Sequence, residues 1–173
     1  EKVRHFGDDC DEYWLDTKKL AKRKSKRKKL PEVVEEPVAA DFGLGVYSSD
    51  KMLEHDTGSF HPESIRRYLS VMHMLKTSRF KKKKIKGRVA TVQEILLAHS
   101  ASYHDIAKYD SENFAEHLRT GDTAVCDASY EVVMAATGAV LDAVDQLVDR
   151  NLSRAFGAVR PPGHHATRDL GMG

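Results

Sequence analysis

Ala155-Phe156-Gly157-Ala158-Val159-Arg160-Pro161-Pro162-Gly163-His164-His165-Ala166 is the stretch whose reading decides the fold. The run from Ala155 to Val159 predicts a short strand, and Pro161-Pro162-Gly163 predicts an abrupt turn, proline fixing φ and glycine permitting an unusual one. Two titratable side chains then sit at the tip. In α/β folds, ligands collect beyond the carboxyl ends of strands, which is where this arrangement puts them. Immediately upstream, the spacing predicts a helix from about Ala128 to Asp149. Val133, Met134, Val140, Leu141, Val144, Leu147 and Val148 form its apolar face, and Asp127 is its expected N-cap. A long helix feeding a strand is an α/β rhythm and predicts a parallel sheet.

Working toward the N-terminus, a short helical stretch is expected near Ile106 to Leu118, and another from Thr91 to Leu97. Val89 to Val92 reads either as a strand or as the approach to that helix. Ser64 to Lys76 carries Ile65, Tyr68, Leu69, Met72 and Leu75 at helical spacing. The block Lys81 to Lys86 interrupts the pattern and is expected as a loop. Gly43 to Tyr47 reads as a first short strand ending at Ser48-Ser49-Asp50. Its lone Gly-x-Gly is no phosphate loop, since Ser48 stands where a third glycine would be needed. Residues 41–173 are therefore expected to form the ordered domain, and residues 1–40 a basic, disordered leader.

The totals fit a soluble globular protein, with 40% apolar and 31% charged residues. The longest nearly apolar stretch, Val132 to Leu141, is too short for a bilayer. Cys10 and Cys126 lie far apart and form no C-x-x-C pair, which favours a reducing compartment. Net charge is only +2, yet nine of the twelve residues from Lys18 to Lys29 are Lys or Arg. Lys81 to Lys84 with Lys86 and Arg88 make a second block. Such blocks read as solvated segments, as a nuclear address, or as a surface acting by counterion release. No aromatics interleave them, which argues against a base-stacking platform.

Nine histidines invite a metal reading, but none of their spacings makes a zinc site. His99 and His104 are five apart and fall on different helix faces. His164 and His165 differ because the backbone turns beneath them, so both rings can reach one pocket. Two readings stand on local sequence: a turn with two solvent-exposed histidines, or an acid/base pair. In the second, one neutral imidazole serves as base and a cationic one as acid or electrostatic stabiliser.

Ala158 to Ala166 resembles the signature of the zinc-dependent histone deacetylases, class II-like members of the arginase/deacetylase superfamily. Further segments resemble the family's landmarks in the same order. They are His55-Asp56-Thr57-Gly58, His61-Pro62-Glu63 with Arg67, His99-Ser100-x-x-Tyr103, Gly121-Asp122-Thr123, Ala136-Thr137-Gly138, and the closing Met172-Gly173. The resemblance runs from about Phe42 to Gly173. It implies an α/β fold, the N-terminal part of an open, mostly parallel sheet flanked by helices, and incomplete. It further implies zinc at the bottom of a narrow tunnel, polarising an acetyl carbonyl and activating water. His165 would be the general base and later the acid that protonates the departing amine, with His164 assisting electrostatically. Arg67 would lie near an inner cavity beneath the metal.

Two departures from the family pattern stand out. Ser64-Ile65 replaces a proline-containing pair, and Ala128 falls where relatives place a serine or aspartate that holds the substrate backbone. Asp127 and Ser129 flank it and could substitute. The zinc ligands and the oxyanion-stabilising tyrosine are expected beyond Gly173, so no metal ligand is assigned within this chain and the chain by itself is expected to be inactive. The resemblance implies an acetylated protein substrate such as a histone tail, corepressor-type partners, and a location in the nucleus, alone or with the cytoplasm. No sequence-specific nucleic-acid binding and no membrane role are expected. An acetylpolyamine hydrolase and a non-catalytic interaction module are the rival readings.

Overall fold

Two parallel crossovers build the framework of the chain. The computed structural model describes residues 2–6, 12–16, 43–113 and 115–172. The chain divides into two compact units, Glu1–Ala39 and Ala40–Gly173. In the first, β1 (Lys2–Phe6) and β2 (Glu12–Asp16) pair antiparallel, Lys2 opposite Asp16 and Phe6 opposite Glu12. The leader was expected to lack regular structure, but these two segments hold the β-branched and aromatic residues that favour strands. Its basic run, Lys18 to Lys29, lies outside the described residues.

The second unit is built on β3 (Leu44–Tyr47), the centre of a parallel sheet of order β4-β3-β5. A 3-10 turn (Asp50–Leu53) and helix α1 (Ile65–Thr77) carry the chain to β4 (Lys82–Ile85). Helices α2 (Val92–Ala98), α3 (Ala101–Glu112) and α4 (Ser129–Val148) then lead to β5 (Arg154–Gly157). Parallel neighbours require such helical crossovers. Leu44 lies opposite both Lys82 and Arg154, and Tyr47 opposite Ile85 and Gly157.

Val46 packs with Met52, Tyr68, Leu75, Val132, Ala136 and Ala158, and Tyr47 with Ala139, Ala143 and Leu152. These clusters straddle the central strand and fix the ends of β3 and β5, from which the functional loops leave.

The sequence reading needs three corrections. Lys82–Ile85 is a strand, not a loop. A lysine run hides the period-2 pattern, yet lysine is a residue that edge strands favour. Ile85 alone points the strand into the core, against Tyr47. The N-cap of α4 is Ala128, with no side-chain cap, rather than Asp127. The buried face of α4 is also the small one: Val132, Met134, Ala136, Gly138, Ala139 and Ala143 are buried, while Val140, Val144 and Val148 remain 44–73% exposed. Among the described residues, β5 pairs on one side only, and half-exposed Phe156 extends this uncovered apolar surface.

Small residues on α4 let residues 88–90 lie against the helix, with Ala90 N–H donating to the Met134 carbonyl at 2.9 Å. A Cβ on Gly138 would stand 2.3 Å from Ala90 N and 2.4 Å from the Arg88 carbonyl oxygen, both backbone atoms. Gly138→Ala raises helix propensity but overpacks this contact. We expect a net loss of about 1–3 kcal/mol in urea denaturation, where propensity alone would give a small gain.

The first turn of α2 is held by a capping box between Thr91 and Glu94, and Arg88 forks onto the same carboxylate at 2.6 and 2.9 Å. These donors, Arg88 foremost, hold the Glu94 carboxyl down at about 2. Because the folded value is depressed, this contribution is present above the ordinary carboxylate range and is lost as pH falls toward 2.

Candidate active site

The double histidine caps a β-turn of its own making. Ala166 N–H donates to the Gly163 carbonyl at 3.1 Å, so His164 and His165 are the two central residues of that turn. Gly163 takes no positive φ, so the bend does not use the glycine freedom that the sequence suggested. The Arg160–Pro161 peptide is cis. The two rings pack edge to face with centroids 4.1 Å apart, and both side chains are exposed. They sit on the wall of a cavity of about 660 Å³, whose apolar side comes from Ile95, Leu118, Val133 and Met134.

Both ends of this turn are clamped. Before it, Arg160 is only 3% exposed. Its Nε and Nη2 donate to Glu63 Oε1 and Oε2, both at 2.8 Å, and Nη1 donates to the carbonyls of Met52 and His55. After it, the Ser100 N–H donates to the Arg168 carbonyl, and His99 Nδ1 lies 3.0 Å from the Thr167 carbonyl oxygen. The His99-Ser100-x-x-Tyr103 segment is thus a strap holding the chain just past the histidines. Tyr103 stands close enough to Gly171 that a Cβ there would meet its hydroxyl at 2.6 Å.

Buried behind Glu63, His55 Nδ1 lies 2.7 Å from Ser129 Oγ, which also accepts from the Cys126 N–H at 2.8 Å. Burial first, then the Arg160 charge, pushes His55 below the ordinary imidazole value of 6.5, against an opposing pull from Glu63. The folded state therefore keeps His55 neutral where the unfolded chain would take up a proton. Stability carried by His55 is present above 6.5 and falls as pH drops below it. Thermal melts between pH 7.5 and 5 should show a steeper loss for the native chain than for His55→Gln. Parallel slopes would remove His55 as the titrating group.

Among the residues suggested by sequence, His164, His165 and Arg67 all line the one cavity. Arg67 is exposed there, on the first turn of α1, its Nη1 reaching the Pro62 carbonyl at 3.4 Å. Ser129 also lines the cavity but is 2% exposed and committed to His55 and Cys126, while Asp127 is exposed at the start of α4. The sequence reading missed the Arg160–Glu63–His55 network. The charged residues inside the two motifs were its only signal, and they lie 97 residues apart. Among the described residues, no group of three or more His, Cys, Asp or Glu is placed to hold a metal ion. These side chains therefore do not by themselves fit a zinc centre.

Comparison with known proteins follows the same outline. Residues 61–173 match the model of the histone deacetylase domain. The chain is 33% identical over 119 residues to an uncharacterised protein of Methanocaldococcus jannaschii, covering 67% of this chain and 33% of that one. It is 35% identical over 96 residues to the polyamine deacetylase HDAC10 of Danio rerio, covering 53% of this chain and 14% of the relative. Human histone deacetylase 9 is 27% identical over 169 residues, covering 81% of this chain and 17% of its own length. The chain thus spans a third or less of each of these three relatives. Among solved structures, the HDA15 HD domain superposes with a TM-score of 0.64 at 22% identity, over 76% of this chain and 39% of that one. That likeness carries the fold, a parallel sheet with flanking helices. The family match covers well over half the chain, including the clamped double-histidine turn, and the chain belongs to the histone deacetylase domain family.

Proposed function

We propose that the protein hydrolyses acetyl-lysine amides on histones or other proteins, with His164 and His165 as its proton-transfer pair. The observation that supports this is the turn itself: two imidazoles 4.1 Å apart, held at both ends, on the rim of an apolar cavity. His165 takes the proton from the attacking water and returns it to the leaving amine. Amide hydrolysis requires that return, because an unprotonated amine is a very poor leaving group. His164, at van der Waals distance, steadies the charge that builds during the transfer. Zinc dependence is part of the proposal, with ligands and an oxyanion-stabilising tyrosine supplied by residues outside this chain. Acetylated protein tails, corepressor-type partners and a nuclear location belong to the same reading.

An acetylpolyamine is the alternative substrate, favoured by the similarity to the Danio rerio polyamine deacetylase. Full-length protein should release acetate from an acetyl-lysine peptide, and a zinc chelator should stop the release. Turnover of acetylspermidine with none of the peptide would assign the alternative. Failure on both substrates, with zinc present, would leave a non-catalytic module.

A further inference from the structure

We propose that the β4 edge of the sheet is a sequence-independent nucleic-acid surface that engages the phosphodiester backbone. Among the described residues, β4 is an edge strand that pairs only to β3, and it lies across the sheet from β5, which leads to the double histidine. Arg79, Lys81, Lys83, Lys84 and Lys86 run along this edge, and all five are exposed. Their side chains make no ion pair among the described residues.

Several other cations of this chain are matched. Lys51 is matched by Glu54 and Glu131, Arg88 by Glu94 and Asp145, Lys108 by Glu112, Arg119 by Asp110, and Arg160 by Glu63. Arg66, Arg67, Lys76 and Arg168 likewise make no ion pair among the described residues, so what distinguishes this edge is the density of such cations, all between Arg79 and Lys86 and all exposed. The row is also pre-arranged. Lys82 Nζ turns back to Ser78 Oγ at 2.8 Å and to the Phe80 carbonyl at 3.3 Å, and Ile85 anchors the far end in the core. On β4 (Lys82–Ile85) the adjacent Lys83 and Lys84 point to opposite faces of the sheet, so the edge carries positive charge on both sides, with Arg79, Lys81 and Lys86 flanking the strand.

Lysine is depleted from protein–protein interfaces, which need an apolar centre. The edge offers one exposed apolar side chain, Phe80, 71% exposed. A dense edge of like cations with little apolar surface recognises negative charge and not a shaped partner, and releases condensed counterions when it binds. Such binding reads no sequence, because phosphate contacts position a protein without specifying bases. The surface is independent of the deacetylase reading, and its test requires no turnover.

The test is salt-dependent binding of the whole chain to a 20-base-pair duplex, followed by fluorescence anisotropy. Each phosphate contact adds about 0.9 to the slope of log affinity against log salt. Replacing Arg79, Lys81, Lys83, Lys84 and Lys86 by Gln should lower that slope by about 4 and weaken binding at least tenfold at 0.1 M salt. Lys83→Gln with Lys84→Gln, both exposed and remote from the core, should lower it by about 2 if the larger change disturbs folding. A Lys83→Arg, Lys84→Arg pair should retain native binding. An unchanged slope in both Gln variants overturns the proposal and assigns any binding to the basic run at residues 18–29. Binding to phosphatidylserine vesicles or to polyglutamate, with none to the duplex, overturns it in favour of a lipid or an acidic protein.

Discussion

Arg160→Ala should destabilise the chain by about 3–5 kcal/mol, the usual result of removing one partner from a buried ion pair. Domains of this size are ordinarily stable by only about 5–15 kcal/mol, so the change puts much of the fold at risk. The reason lies in what Arg160 leaves behind. Its guanidinium satisfies both oxygens of Glu63, and the carbonyls of Met52 and His55, from a position 3% exposed. Truncation strands a carboxylate and two carbonyl groups in a site that water cannot easily reach. Arg160→Lys keeps the charge but not the planar fork, and should recover only part of the loss. Replacing both partners, Arg160→Met with Glu63→Met, should cost less than Arg160→Ala alone, since no charge is then left unpaired. Urea denaturation of these three variants beside the native chain measures this. Additive losses, with the double variant the worst, would show that the pair does not act as a unit.

That network also marks where reading the sequence stops. Strands β3 and β5, helices α1 and α4, and the double histidine were legible because each is a local pattern. The pairing of Glu63 with Arg160 is not local. Both residues were in view inside recognisable motifs, but nothing in their spacing says that one clamps the other across 97 residues. Lys82–Ile85 failed for a different reason. Identical residues carry no alternation, so the strand becomes visible only from its register against β3. The apolar face of α4 was read from its largest residues. The structure turns Val132, Met134 and a set of small residues inward instead, and at Gly138 the backbone of residues 88–90 leaves no room for a side chain. Size decides hydrophobicity along a sequence, but fit decides burial in a fold.

The chemistry of the turn gives the second large effect. If the full-length protein has the proposed activity, His165→Ala should reduce turnover about 10²–10⁴-fold, the range that a positioned acid/base group supplies. The loss should fall on kcat and on kcat/KM together, with KM little changed, because proton transfer matters in the transition state and not in binding. His164→Ala should lose less, since a stabilising charge can be partly replaced by solvent while a proton carrier in the right place cannot. Neither substitution should move the urea midpoint appreciably. Both side chains are exposed at the centre of the turn, and surface changes of that kind ordinarily stay within about 0.5 kcal/mol. This separates His165 from Arg160, whose removal lowers stability first and activity through it. The pH profile adds a signature that no folding defect imitates. A group that must accept a proton and then donate it gives a bell-shaped dependence, and the variant should lose that shape along with its rate. If His165→Ala kept full turnover with the native profile, proton transfer would have to be assigned to another residue. The clamped turn would then be a structural feature of the cavity wall.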